Sequence, residues 1–220
     1  MISSMFERSR TITLSLSLAL AASALLVGCE AAGPKRIDTT TASMQATREM
    51  LVRGGGDVDR VMSSARAIGS APDLKKSYAD FSKSVDALEK VAADVRSRWA
   101  GLTSRADAYR TAWERESANL TSEAAKATAA ERRASFDGVM RGVTLSMGDL
   151  KDSYDVFIAD IQDIRLLLGN DLTADGIRAV QPLITSAGGS ASTVQSKLNE
   201  AIRLLDAAAA SSATKLPTNG

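Results

Sequence analysis

The sequence predicts an all-α fold: an elongated antiparallel helical bundle built around a long coiled-coil hairpin. Three observations carry that expectation. Large side chains recur at Leu74, Tyr78, Phe81, Val85, Leu88, Val91, Val95, Trp99, Leu102, Ala106, Tyr109 and Trp113, about 3.5 residues per step, which draws one stripe along a single helix. The same spacing returns from Phe136 through Met140, Val143, Met147, Leu150, Tyr154, Phe157, Ile161 and Ile164 to Leu168. Only 4% of the 220 residues are aromatic while alanine is abundant, a composition of long, thin helical packing with a modest core per residue.

Taken in order, residues 1–28 do not read as fold. Arg8 and Arg10 precede an uncharged, mostly apolar run from Thr11 to Val27, the layout of an export signal. The run is marginal for a membrane span, and a polar chain follows it. Leu26-Val27-Gly28-Cys29 closes the signal and resembles a bacterial lipobox, with cleavage between Gly28 and Cys29 and acylation of the Cys29 thiol. Cys29 is the single cysteine, so no intramolecular disulfide forms and stability rests on helix packing. Several acyl chains on one residue make a stable anchor. Glu30 at the next position, by resemblance to lipoprotein sorting, leans the address towards the outer membrane rather than the inner.

Residues 29–41 read as a lipidated tether, with Gly33, Pro34 and small polar side chains. A four-helix coiled-coil domain is expected over 42–210 and a disordered tail over 211–220. The first helix carries Met44, Leu51, Val58, Val61, Met62, Ala65 and Ile68 on one face. Gly54-Gly55-Gly56 sits inside it and predicts a break or kink, since each glycine costs about 1 kcal/mol relative to alanine. A phosphate cradle is a poor alternative: no strand precedes the triplet, no Lys-Ser/Thr follows, and Asp57 and Asp59 stand beside it.

Gly69 is placed to close the first helix, and Pro72 and Asp73 suit the start of the second. The second helix runs to about Ser117. Asn119-Leu120-Thr121 offers a break, with Thr121 or Ser122 able to cap a third helix; the alternative, which the low Gly and Pro content allows, is one helix running straight through. Upstream of Phe136 the third stripe extends through Ala124, Ala127, Ala130 and Ala134, and Gly169-Asn170 closes it in left-handed conformations. Thr173 caps a fourth helix with Ile177, Val180, Ile184, Ala187, Ala191, Val194, Leu198, Ile202 and Leu205 inward. Pro182 lies early enough to be tolerated, and Gly188-Gly189 weakens the middle. In this geometry helices one and four flank the same end of the hairpin, leaving residues 103–133 as a bare two-stranded tip.

The segments Asp73-Leu74-Lys75-Lys76-Ser77-Tyr78, Trp113-Glu114-Arg115-Glu116 and Phe157 to Leu172 resemble an uncharacterised family of bacterial coiled-coil periplasmic lipoproteins. The resemblance covers most of the chain after the leader and implies a lipobox, a tether and long heptad helices. It brings no activity and no catalytic residues. This chain departs from it in the glycine triplet, in more alanine and in fewer charges.

The composition bounds the chemistry. There is no histidine, which removes the commonest general base and transition-metal ligand together. Net charge is +1, and the leader accounts for two arginines and one glutamate, so the remainder is charge-balanced and offers no nucleic-acid surface. Asp149, Asp152, Asp155, Asp160 and Asp163 lie outside the apolar stripe and read as a solvated face rather than an acid–base pair or a metal site. Arg96-Arg98 and Arg132-Arg133 are interspersed with carboxylates and make no membrane-binding face. Trp99 is expected in the core. Tyr109 and Trp113 fall in the expected bare tip opposite Ala124, Ala127 and Ala130, where they either pack the hairpin or contact a partner.

No catalytic residue, metal ligand or cofactor is assigned. The expectation is a non-enzymatic envelope lipoprotein on the periplasmic face, anchored to a membrane through Cys29. Its helical rod serves as spacer, scaffold or adaptor for an envelope protein or a second copy of itself. The alternative is a binding or chaperone-like module holding an apolar ligand or client in a helical groove.

Overall fold

A computed structural model describes residues 32–212. The signal, Gly28, Cys29 and residues 213–220 of the expected tail lie outside the described residues. Among the described residues the chain is all-α: α1 (Ala32–Ala67), α2 (Leu74–Ser117), α3 (Glu123–Asn170) and α4 (Ala174–Ser212), with one 3₁₀ turn at Ile68–Ser70. At 36, 44, 48 and 39 residues they run about 55–70 Å each.

Capping chemistry sets the ends. Asp73 is the N-cap of α2, its carboxylate accepting from the Lys76 amide at 2.9 Å. Ser122 caps α3, and Thr173 caps α4 by accepting from the Gly176 amide at 3.1 Å. Gly169 and Asn170 are the last residues of α3. Gly169 does not take the expected left-handed conformation; it is small because a Cβ there would come within 2.7 Å of the Tyr78 hydroxyl. That hydroxyl donates to the Arg165 carbonyl at 3.2 Å.

From Arg36 onward the chain forms one compact unit. Polar ties give its topology. Asp86 pairs with Arg165 and Glu114 with Arg133, so α2 and α3 run antiparallel. Lys197 pairs with Asp149 and Ser190 donates to Asp160, so α3 and α4 do too. Arg48–Asp206 and Gln195–Gly55 set α1 antiparallel to α4, and Ser64–Ser84 with Arg36–Glu116 set it antiparallel to α2. The four stripes meet in one core around Phe81, Phe157, Leu51, Leu168 and Leu205.

Several expectations need correction. The helix begins at Ala32, so the segment read as tether is helical through most of its length. Pro34 falls in the first turn, where its missing N–H would have no helical partner in any case. The glycine triplet does not break α1, because packing offsets poor propensity. The Gly55 carbonyl accepts from Gln195 Nε2 at 2.8 Å, and Gly54 lets α2 approach, a Cβ there meeting Val91 at 3.7 Å. The bare tip is shorter than expected, since α1 follows α2 out to the Arg36–Glu116 pair at 2.6 Å. Finally, Ala124, Ala127, Ala130 and Ala134 are exposed, whereas Ala125, Ala129 and Arg133 are half-buried. Alanine is small enough that these residues carried too little amphipathic signal to fix the rotation. In α4, likewise, Ala201 is fully buried beside a half-buried Ile202. Ser211 and Ser212 belong to α4 rather than to a tail.

Candidate functional site

Midway along the bundle the α2–α3 seam opens. On one side the two helices are tied by Tyr78, Asp86–Arg165 at 2.7 Å and Gln162–Glu89 at 2.9 Å. On the other they are tied by Arg110–Asp137 at 3.9 Å and Arg133–Glu114 at 3.3 Å. Between these ties lies a cavity of about 320 Å³. Its floor comes from buried residues of α1 and α4: Leu51, Gly54, Val58, Val194 and Leu198. Its walls are Leu88, Val91, Ala92, Val95 and Trp99 of α2 facing Met147, Leu150 and Tyr154 of α3. The exposed members, Arg96, Thr144, Gly148 and Lys151, all lie on α2 and α3, so the mouth opens between those two helices.

The stripes explain the gap. Val91 and Leu102 are buried, but Val95 and Trp99 between them are only half-buried, because α3 presents Thr144 and Gly148 opposite. A Cβ on Gly148 would meet nothing within 4 Å. Trp99, expected in the core, is therefore part wall and part core. The lining is apolar, with few polar groups at the mouth, the usual make-up of a small-molecule site.

Two cations sit at that mouth. Lys151 is held by Asp155 at 2.7 Å and Asp152 at 3.8 Å, and the Asp155 hydrogen bond and charge raise its pKa. Arg96 makes no ion pair among the described residues. Burial, and then the charge of Glu89, push the Tyr154 hydroxyl up to about 12, with Arg96 opposing them. The phenol therefore stays a neutral donor at physiological pH.

Tyr109 and Trp113 lie elsewhere. Both are half-buried, and Tyr109 packs edge-on against Trp113 at 5.4 Å and against Phe136 of α3 at 5.0 Å. Their neighbour on α3 is thus an aromatic ring, and the three alanines expected opposite them point to solvent. Burial raises the Tyr109 pKa against the pull of Arg132 and Arg36.

The remaining sequence candidates do not converge. Asp149 and Asp160 tie α3 to α4, while Asp152 and Asp155 attend Lys151. No group of carboxylates placed to hold a metal ion occurs among the described residues. Arg96 and Arg98 diverge, Arg96 to the cavity and Arg98 to a separate groove between α1 and α2. The Gly54–Gly56 run is ordinary helix with no phosphate cradle. None of the described helices is long and apolar enough to cross a membrane.

No family model, curated protein or solved structure matches the chain.

Sequence reasoning missed Gly148 and weighed Arg96 only as part of a basic patch, not as a residue of a cavity mouth. The available signal was a glycine inside a long helix, away from either end, where it costs about 1 kcal/mol and caps nothing.

Proposed function

We propose that the chain is a non-enzymatic, lipid-anchored envelope protein whose four-helix domain holds an apolar molecule in the cavity between α2 and α3. The cavity carries this reading: a well-packed core leaves few voids larger than a water molecule, and this one is far larger, apolar and open on one side. The lipobox at Leu26–Cys29 and the resemblance to coiled-coil lipoproteins support the address, on the periplasmic face of the outer membrane. The lack of histidine and the scattered carboxylates favour binding over catalysis.

Titrating the purified protein with a fluorescent hydrophobic dye tests the cavity. Saturable binding lost in a Gly148→Leu variant of unchanged helicity is the expected result. Dye uptake indifferent to that substitution would place the apolar surface elsewhere and remove the proposal. Cys29→Ala should release the protein from membranes, and continued sedimentation with them would defeat the anchor.

A second reading, a helical rod acting as spacer or adaptor, draws on the aromatic cluster. Tyr109 and Trp113 leave part of each ring in solvent near the hairpin end, a residue pair favoured at binding hot spots. Crosslinking in intact cells separates the two: a discrete protein attached near Tyr109 and Trp113 favours the adaptor, and crosslinks to itself alone favour a self-assembling scaffold.

A further inference from the structure

We infer that the cavity takes a single unbranched acyl chain ending in an anionic headgroup, with Arg96 as the headgroup receptor. This rests on the cavity being a ligand site, and it adds the chemical class of the ligand.

Shape comes first. On α2 the lining runs from Leu88 to Trp99 and on α3 from Thr144 to Tyr154, three turns of helix or about 16 Å. The lining is thus a slot running along the two helices for that length, the shape of an extended hydrocarbon chain.

Charge comes second. Among the described residues the only charged ones in the lining are Arg96 and Lys151, both cations and both at the mouth. The Lys151 ammonium is already matched by Asp155 and Asp152. Glu89, the carboxylate facing Tyr154 from α2, is engaged by the Gln162 amide. Arg96 is left with a guanidinium whose planar fork fits a carboxylate or phosphate in two parallel hydrogen bonds. Tyr154 lines the same cavity with a neutral hydroxyl as a further donor. Apolar depth with one uncommitted cation at the rim is the complement of a single-chain acidic amphiphile.

Trp99 lies in the wall, and Trp113 is the only other tryptophan, so Trp113→Phe leaves one reporter inside the site. Full-length protein with that substitution is titrated with dodecanoate, dodecyl phosphate and dodecanol, following Trp99 emission. Saturable binding of the two anions, at least about tenfold tighter than the alcohol, is expected; the tighter of the two identifies the headgroup. Arg96→Gln should reduce that preference to near unity, weakening the two anions far more than dodecanol. Gly148→Leu should abolish binding of all three at unchanged helicity, since its side chain enters open space. If anions and alcohol bind alike and Arg96→Gln alters neither, the headgroup assignment is overturned while the cavity stands. If none of the three perturbs Trp99, the cavity reading itself fails.

Discussion

Gly56→Ala is the sharpest test of the fold, because a broken helix and a continuous one give it opposite signs. In a continuous α1 the new Cβ at position 56 meets nothing within 4 Å. The substitution then gains the propensity difference between alanine and glycine, about 1 kcal/mol, with no steric term to set against it. For a domain of this size that raises the melting temperature by about 2–4 °C. Gly54→Ala should behave alike, its Cβ resting in ordinary contact 3.7 Å from Val91. Gly55→Ala should not. Its Cβ would stand 3.1 Å from Gln195 Oε1, and the amide that must yield also donates to the Gly55 carbonyl and, at 3.0 Å, to Asp59. Losing either hydrogen bond costs about 0.5–1.5 kcal/mol, enough to cancel the propensity gain. Were the triplet a break with a glycine in the left-handed region, alanine there would instead cost about 1–2 kcal/mol. Urea unfolding followed by circular dichroism, with the slope checked for constancy, resolves a difference of that size. A Gly56→Ala protein less stable than the parent would refute a continuous α1.

Three further outcomes follow from other parts of the bundle. Phe157 is fully buried, so Phe157→Ala should lose about 3–5 kcal/mol in the same denaturation assay. Gly169→Ala forces a Cβ to within 2.7 Å of the Tyr78 hydroxyl and should destabilise by about 1–3 kcal/mol; Tyr78→Phe in the same chain should recover part of that loss, as a double-mutant cycle would show. Tyr154 ionises at about 12 when folded, above its ordinary value of 10, so its contribution to stability is complete below the unfolded value and is lost as pH rises through the folded one. Ultraviolet titration should show that late phenolate step vanish in Tyr154→Phe.

What the sequence made legible was whatever large side chains and turn chemistry mark. The α2 and α3 stripes, the turn at Ser70–Asp73, the Ser122 and Thr173 caps and the end of α2 at Ser117 are all present, because leucine, phenylalanine and capping oxygens act over a few residues of their own helix. What stayed hidden depends on a neighbouring helix. Gly54–Gly56 reads as a break in isolation and is helix in the bundle, where α2 packs against Gly54 and Gln195, some 140 residues away in the chain, bonds to Gly55. The Ala124–Ala134 register could not be fixed from side chains that pack almost equally on any face.

The cavity is the strongest case of this dependence. Each stripe, taken alone, is continuous through its level: Val91, Val95, Trp99 and Leu102 on α2, and Val143, Met147, Leu150 and Tyr154 on α3. Periodicity reports that a helix has an apolar face; it does not report whether two such faces meet. They fail to meet here because Gly148 and Thr144 stand where a large residue would have filled the seam, and because the polar ties that draw α2 to α3 lie beyond both ends of the opening. A glycine that is neither cap nor turn nor close approach, in the middle of a 48-residue helix, lowers helix stability and adds no packing. It borders the empty space beside Trp99 and Arg96, and that makes Gly148 the position at which stability and ligand occupancy should trade against each other.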